Sequence, residues 1–157
     1  MLTMINPLSP EAVRLPVLTF RLGTQHYALL IEDVIEVVAM VEFMNLPDST
    51  AEVPGVINRH GGVLPLIDLR AVFKQPVSPV TSASVFIVAE GGGKQMGLLV
   101  DEVQQVDYMD ALQMSDAPTS SRYVHGIISH KDQMISIIAL PSLLAAFLTS
   151  MSDQEVN

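Results

Sequence analysis

The sequence contains no cysteine among its 157 residues. Without cysteine there is neither a disulfide framework nor thiolate chemistry, and a reducing compartment is the natural setting. Basic residues are also few, because eight Lys and Arg face seventeen Asp and Glu, for a formal net charge of −9. Such an excess of negative charge opposes binding to nucleic-acid phosphates and to anionic lipid surfaces. We therefore expect neither nucleic acid nor direct membrane insertion among the interactions of this chain.

Long uninterrupted apolar runs are missing as well. The most apolar late segment, Met134 to Leu148, is interrupted by Ser136, Pro141 and Ser142. It is also shorter than the roughly 20 residues that a membrane-spanning helix needs. The first sixteen residues hold three prolines and lack a basic leader followed by an apolar stretch, so they do not resemble a signal peptide. These features predict a soluble, cytoplasmic protein.

What the sequence does contain is material for a packed β protein. Apolar residues make up 49% of the chain and charged residues only 16%, which is typical of a folded domain and not of a disordered one. Short Val- and Ile-rich runs, each closed by Gly, Pro, Asn, Asp or Ser, are typical of strands in a sandwich or barrel. The ten predicted strands are Val17–Leu22, Tyr27–Ile31, Val34–Met40, Gly55–Asn58, Val63–Ile67, Ser84–Ala89, Met96–Val100, Val103–Met109, Tyr123–Ser129 and Met134–Ala139.

Helix is predicted at only two places. Leu69–Phe73 is long enough for a turn or two, and Pro141–Ser150 begins with a proline at a favourable first position and continues with Leu and Ala. The ends of the chain show no sustained period. We expect residues 1–16 to form a flexible arm and residues 149–157 to form a C-terminal tail.

An internal repeat organises the chain. Gly55–Phe73 aligns with Gly126–Leu144 without a gap at a shift of 71 residues, and nine apolar positions coincide. Upstream, Ala28–Val37 aligns with Gly97–Val106 at a shift of 69. The chain is therefore predicted to be one β module of roughly 60 residues written twice. We place the first module at residues 17–73, a Pro- and Ser-containing linker at 74–83 and the second module at 84–148, each closing as its own small barrel, with a binding groove along the seam.

The residue types that most often carry catalysis are present but do not converge. The four histidines, His26, His60, His125 and His130, lie in separate segments with no metal-ligand spacing. The serines lack a G-x-S-x-G elbow. The acidic pair Glu32–Asp33 recurs as Asp101–Glu102, which favours a structural turn in both copies because duplicated acid–base chemistry is improbable. We predict no catalytic residue, no metal site and no cofactor.

Two further features have a structural interpretation. The glycines of Gly91–Lys94 lack the spacing of a phosphate-binding loop and are followed by another strand, so they predict a hairpin connection. The nine methionines are mostly interpreted as core residues, Met134 among them, with Met44 and Met109 as candidate surface positions.

The segment Asn58–Gly62 places Arg59, His60 and Gly61 between two apolar strands. Taken alone, it fits an ordinary solvated hairpin tip, because turns favour Asn and Gly. It also fits a binding tip, since it puts two potentially cationic side chains beside an apolar groove. The residues around it decide between these interpretations.

The stretch from Val53 to Phe73 (VPGVINRHGGVLPLIDLRAVF), preceded by Phe20 to Val38, resembles the CheW family of bacterial chemotaxis coupling proteins. The family pattern is a Gly, two apolar residues, Asn, Leu-Arg-Gly and an apolar strand that ends in Asp-Leu-Arg. The resemblance covers about residues 17–148. It implies an all-β fold of two SH3-like five-stranded barrels with a short C-terminal helix.

The same resemblance implies a non-enzymatic scaffold that couples a CheA-type histidine kinase to the cytoplasmic tip of methyl-accepting chemoreceptors, recruited from the cytoplasm to membrane receptor arrays. It implies partner-binding roles for the following residues: Val34, Glu36, Gly55, Asn58, Arg59, His60 and Gly61. A different class remains as an alternative, a small-molecule-binding module that uses the groove between the barrels.

One position departs from the family pattern. The usual Leu-Arg-Gly is Arg59–His60–Gly61 here, so His60 occupies the arginine position. Histidine does not replace the permanent charge and forked donors of arginine. Either Arg59 takes over the pairing with Glu36, or the docking differs.

Overall fold

The computed structural model describes residues 14–39, 43–81, 83–117 and 121–156, with side chains described as far as Leu148. The described residues form twelve strands and two α-helices. The strands are β1 (Arg14–Leu22), β2 (Gln25–Leu30), β3 (Val34–Ala39), β4 (Phe43–Asn45), β5 (Gly55–Arg59), β6 (Gly62–Asp68), β7 (Val85–Gly91), β8 (Lys94–Val100), β9 (Glu102–Asp110), β10 (Met114–Asp116), β11 (Val124–His130) and β12 (Gln133–Ile138). The helices are α1 (Leu69–Val72) and α2 (Leu140–Val156).

The strands form two six-stranded sheets that interlock. Unit I has the order β3-β7-β8-β6-β5-β4, and unit II has the order β10-β11-β12-β2-β1-β9. When β1–β6 are matched to β7–β12, the two orders are the same. The register agrees too, because Leu66 pairs with Gly97 in the parallel β6–β8 ladder and Ile137 pairs with Ala28 in the parallel β12–β2 ladder. The internal repeat is thus present in the topology.

The prediction that residues 17–73 and 84–148 each close their own barrel is corrected by these sheets. Each unit contains four strands of one repeat and the first hairpin of the other. The physical reason lies in the first hairpin of each repeat, whose strands β1, β2, β7 and β8 are apolar on both faces. Such strands need cover on two sides. Exchange of the hairpins supplies both covers at once.

Alternation along these strands sends neighbouring side chains into different cores. In β1, Val17 points into unit II and Leu18 into the layer between the units; in β7, Phe86 points into unit I and Ile87 into that same layer. The layer, which we call the shared core, is the largest cluster of buried side chains. Its members are Leu18, Phe20, Leu22, Tyr27, Leu29, Ile67, Leu69, Ile87, Ala89, Met96, Leu98, Val100, Ile138, Leu140, Leu143 and Leu148.

A binding groove was predicted along the seam between the units. The side chains of the shared core fill this seam instead. A pocket of about 290 Å³ lies at one end of the seam, against α2 and the β7–β8 turn. The turn itself is the predicted hairpin connection, with Gly92 and Gly93 both at positive φ.

Several boundaries also differ from the sequence predictions. Helix α2 runs to Val156 through the predicted tail, because residues 142–156 contain neither Gly nor Pro and are rich in helix formers. Strand β1 begins at Arg14, inside the predicted arm, while residues 1–13 and Met40 lie outside the described part. The short edge strands β4 and β10 were not predicted. Met109 is fully buried and Met134 is 65% exposed, the reverse of the prediction.

Candidate functional site

The predicted binding tip is the β5–β6 hairpin of unit I. Arg59 pairs with Gly62 across the hairpin, which leaves His60 and Gly61 as a two-residue turn with φ values of 53° and 79°. Two successive positive φ values give a type I′ turn, whose twist matches that of the flanking strands. Glycine suits such a position, whereas histidine tolerates it at some cost. Asn58 and His60 are both exposed at this tip.

An ion pair joins the tip to the far edge of the same sheet. The Arg59 guanidinium donates from Nη2 to Oε2 of Glu36 on β3. Strands β3 and β5 stand four places apart in the order of unit I, so the contact requires the sheet to curl round until its edge meets the tip. The Arg59 side chain is 15% exposed and that of Glu36 is 47% exposed. Of the two alternatives left open by the sequence, the structure has Arg59 in contact with Glu36.

The pair leaves donor capacity unused. Nε of Arg59 is buried and finds no acceptor among the described residues. A buried donor without a partner costs free energy, and in native structures such groups call for an explanation. Glu36 is half exposed at the rim of unit I, whereas Arg59 is largely buried beneath it.

An apolar pocket of about 520 Å³ lies beside the tip. It is lined by Phe43, Met44, Val56, Ile57, Asn58, Gly61, Gly62 and Val63. Two of its apolar side chains face solvent, since Met44 is 66% exposed and Val63 is 70% exposed. The site therefore combines an ion pair, an exposed amide and imidazole, and an apolar rim.

Gly55 and Val34 contribute differently. A Cβ at Gly55 would lie 2.1 Å from the backbone oxygen of Met44, so glycine is needed for β4 to pack against β5 and to hold Met44 at the pocket. Val34 packs at the margin of the shared core. Glu36, Asn58, Arg59, His60 and Gly61 thus come together at the tip, whereas Gly55, at the start of β5, supports it by allowing β4 to pack closely, and Val34 lies apart.

Sequence reasoning missed a buried polar network at the start of α1. Arg70 and Asp68 are 4% and 3% exposed, and the guanidinium donates from Nε and Nη2 to the two carboxylate oxygens at 2.9 Å each. Nη1 of Arg70 donates to Ser78 at 3.1 Å and lies 3.6 Å from Asp101. The hydrogen bond to Asp68, against the opposing effect of burial, holds the pKa of Arg70 above its ordinary value.

This network ties both units to the linker. Asp101, between β8 and β9, accepts from the backbone N–H of Gly23 at 2.6 Å, and Gly23 lies in the turn between β1 and β2. Asp68 and Arg70 are the Asp and Arg of the Asp-Leu-Arg signature, which was the available signal for them. Their burial shows that this part of the signature is structural.

The second unit has a counterpart of the tip contact. His130, at the end of β11, lies 2.9 Å from Asp107 on β9 through Nε2 and Oδ2. Burial of Asp107 acts to raise the pKa of its carboxyl, but hydrogen bonds from the Tyr108 backbone and from His130 outweigh it and lower that pKa. The side chains of His130 and Asp107 are 20% and 18% exposed.

In the described part of the chain, no group of three or more His, Asp or Glu side chains is arranged to hold a metal ion. Among the helices of those same residues, none has both the length and the apolar character to cross a bilayer.

Comparison with known proteins gives the chain its family. The model of the CheW-like domain matches residues 16–147. A probable chemotaxis protein CheW from Rhizobium etli is 32% identical over 133 residues, which cover 82% of this chain and 86% of that protein. The chemotaxis protein CheW of Klebsiella aerogenes is 27% identical over 150 residues, covering 92% of this chain and 90% of that one.

The solved structures agree. The crystal structure of the scaffolding protein TtCheW from Thermoanaerobacter tengcongensis has a TM-score of 0.74 and 32% sequence identity, and the match covers 79% of this chain and 88% of that chain. The predicted all-β fold of two SH3-like units with a C-terminal helix is confirmed, here with six strands in each sheet. This chain belongs to the CheW-like domain family of chemotaxis scaffold proteins.

Proposed function

We propose that this protein is a non-enzymatic adaptor that holds a CheA-type histidine kinase and the cytoplasmic tip of a methyl-accepting chemoreceptor in one complex, at membrane receptor arrays. The observation that carries the proposal is the tip of unit I, where a partly exposed ion pair stands beside an apolar pocket. The proposal also draws on membership of the CheW-like family.

The chemistry of this surface favours a protein partner. Exposed Met44 and Val63 supply apolar area, and a methionine adapts its shape to different partners. Asn58 and His60 add polar groups at the rim. Apolar centres with polar rims are typical of protein–protein interfaces.

The ion pair gives the surface its specificity. Arg59 and Glu36 are paired with each other, and a partner that approaches the rim meets one cation and one anion held in fixed positions. Charges placed in this way select partners and set association rates more than they add raw affinity. The proposed partner surface also includes Val34 and Gly55. Val34 lies on β3 with Glu36, and Gly55 allows β4 to hold Met44 at the pocket.

The alternative of a small-molecule module in the seam has less support, because the shared core fills the seam except for a pocket of about 290 Å³ at one end.

The test is the binding of the purified chain to the kinase regulatory domain and to receptor cytoplasmic fragments, by isothermal calorimetry and by co-sedimentation with receptor-bearing vesicles. Glu36→Lys places two cations together at the rim, and we expect partner affinity to fall about tenfold or more. Because the pair is partly exposed, the melting temperature should change by only a few degrees, on the order of 1 kcal/mol.

The matched control is Glu102→Lys, which breaks an exposed ion pair with Arg21 on unit II. This variant should leave partner affinity within about twofold of the wild type, because the substituted residue lies outside the proposed interface. Failure of the wild-type chain to bind either partner would contradict the adaptor role. A large fall in melting temperature for Glu36→Lys would show that Glu36 is structural instead.

A further inference from the structure

The two hairpin tips are built alike. The β11–β12 hairpin of unit II ends in Lys131 and Asp132, with φ values of 50° and 65°, as the β5–β6 hairpin ends in two residues of positive φ. The residue before each turn reaches a carboxylate on the strand at the far edge of its own sheet. Arg59 and His130 are that residue in units I and II, and they are separated by 71 positions, the shift of the repeat.

The two carboxylates, of Glu36 on β3 and Asp107 on β9, lie on the same face of equivalent strands. Gln105 is the repeat equivalent of Glu36 at the shift of 69, and Asp107 lies two residues further along β9, on the same face. The Gln105 amide donates to Asp107 at 3.2 Å. Strands β9 and β11 stand four places apart in unit II, as β3 and β5 do in unit I. In each unit, the residue before the tip turn therefore contacts a carboxylate on the far edge strand.

The two closing contacts differ in one chemical respect. A guanidinium keeps its proton at every pH at which the protein is folded. An imidazole in general changes its charge between about pH 5 and pH 8. The same geometry thus carries a permanent cation in unit I and a titratable group in unit II.

We propose that the contact between His130 and Asp107 is a proton-dependent latch of unit II, an ion pair when the imidazole is protonated and a weaker hydrogen bond from a neutral imidazole to the same carboxylate when it is not, whereas Arg59 and Glu36 keep unit I closed in both cases. The latch regulates the closure of one unit by the proton concentration and leaves the other unchanged.

The groups around the latch are consistent with this assignment. Lys131 Nζ lies 3.9 Å from Asp107, but its side chain is 71% exposed, so it contributes a screened charge. The backbone N–H of Tyr108 donates to Asp107 Oδ1 at 2.9 Å, and Gln105 is uncharged. Asp132 in the same turn is exposed, and Arg14 on β1 lies over the ring of Tyr108. The other charged or titratable residues of the neighbouring strands are Arg21 on β1, Glu102 and Asp110 on β9, Asp116 on β10 and His125 on β11.

The sign of the pH dependence follows. An imidazolium at position 130 adds an ion pair with Asp107 to the hydrogen bond, so we expect the contact to be stronger in mildly acidic than in mildly alkaline solution. Asp107 has a lowered pKa, so its contribution is present above the ordinary carboxyl pKa and is lost only at acid pH, as the folded-state value is passed.

A double-mutant cycle at two pH values tests the latch. Asp107→Asn, His130→Gln and the double variant are unfolded with urea at pH 5.5 and at pH 8.0, and the same cycle with Glu36→Gln and Arg59→Gln is the matched control. We expect the His130–Asp107 coupling to be about fivefold in the unfolding equilibrium constant at pH 5.5 and below about twofold at pH 8.0. The coupling between Arg59 and Glu36 should change by less than about 1.5-fold over the same range.

Exchange of the cations gives a second measurement that does not depend on loss of a contact. His130→Arg should make the unit II coupling independent of pH, and Arg59→His should make the unit I coupling depend on it. Equal coupling of His130 and Asp107 at the two pH values would overturn the proposal. So would a pH dependence that persists in the His130→Arg variant.

Discussion

Units I and II share one strand order but are completed by different chemistry. In unit I, β6 runs into the buried Asp68–Arg70 pair, which is anchored to Asp101 and Ser78. At the equivalent point of unit II, the shift of 71 places Ala139 and Pro141, and β12 runs into the long helix α2. Leu140 and Leu143 of that helix are buried in the shared core.

The difference teaches how a duplicated fold becomes asymmetric. The apolar alternation that determines topology is retained in both repeats, whereas a few polar positions diverge. Unit I has charged side chains at its junction and at its tip. Unit II has an apolar junction and a histidine before its tip turn, so we expect the two units to respond differently to mutation and to pH.

The largest effect is expected from separating the repeats. Residues 14–82 and 83–157, produced as two chains, should each be unfolded, because each unit needs the first hairpin of the other repeat. A β-strand hairpin removed from both of its covers loses most of its stabilisation. Circular dichroism of each half and of their mixture is the measurement, and the mixture should regain the β spectrum. Two independently folded halves would contradict the interlocked topology.

A smaller effect is expected from Arg70→Leu, which removes the cation and leaves the carboxylate of Asp68 buried without its charge partner. Breaking one member of a buried pair costs about 3 to 5 kcal/mol, and the free energy of unfolding in urea should fall by that amount. The matched control is Arg21→Leu, whose ion pair with Glu102 is exposed and should cost about 1 kcal/mol or less. A loss at Arg70 as small as that at Arg21 would show that the network contributes little to stability.

Much of the fold could be predicted from the residues. Short Val- and Ile-rich runs closed by turn residues identified ten strands, and the repeat identified two equivalent modules, because composition and turn residues are local properties. The alignment did not show whether the first hairpin of each repeat pairs with strands of its own repeat or of the other one. The alignment is the same in both cases. Strands β4 and β10 are three residues each at a sheet edge, too short to show a period.

The site was predictable in part. Four of its residues, Asn58 to Gly61, are consecutive at the β5–β6 turn, whereas Glu36 lies on a different strand, and the family resemblance indicated all five. The Asp68–Arg70–Asp101 network depends on side chains that meet across distant segments, which local patterns do not reveal. The exposure of Met134 was also missed, although the repeat pairs it with Val63 beside the other hairpin tip. The two residues are similarly exposed, Val63 at 70% and Met134 at 65%.

We expect unit I, through its charged tip, to carry partner binding. The most direct measurement is the affinity of the kinase regulatory domain, by calorimetry, for Arg59→Gln and for its repeat-equivalent variant His130→Gln. We expect the first to weaken binding about tenfold and the second to leave it within about threefold, with both variants folded. Equal losses from the two variants, or a loss from His130→Gln alone, would contradict the claim.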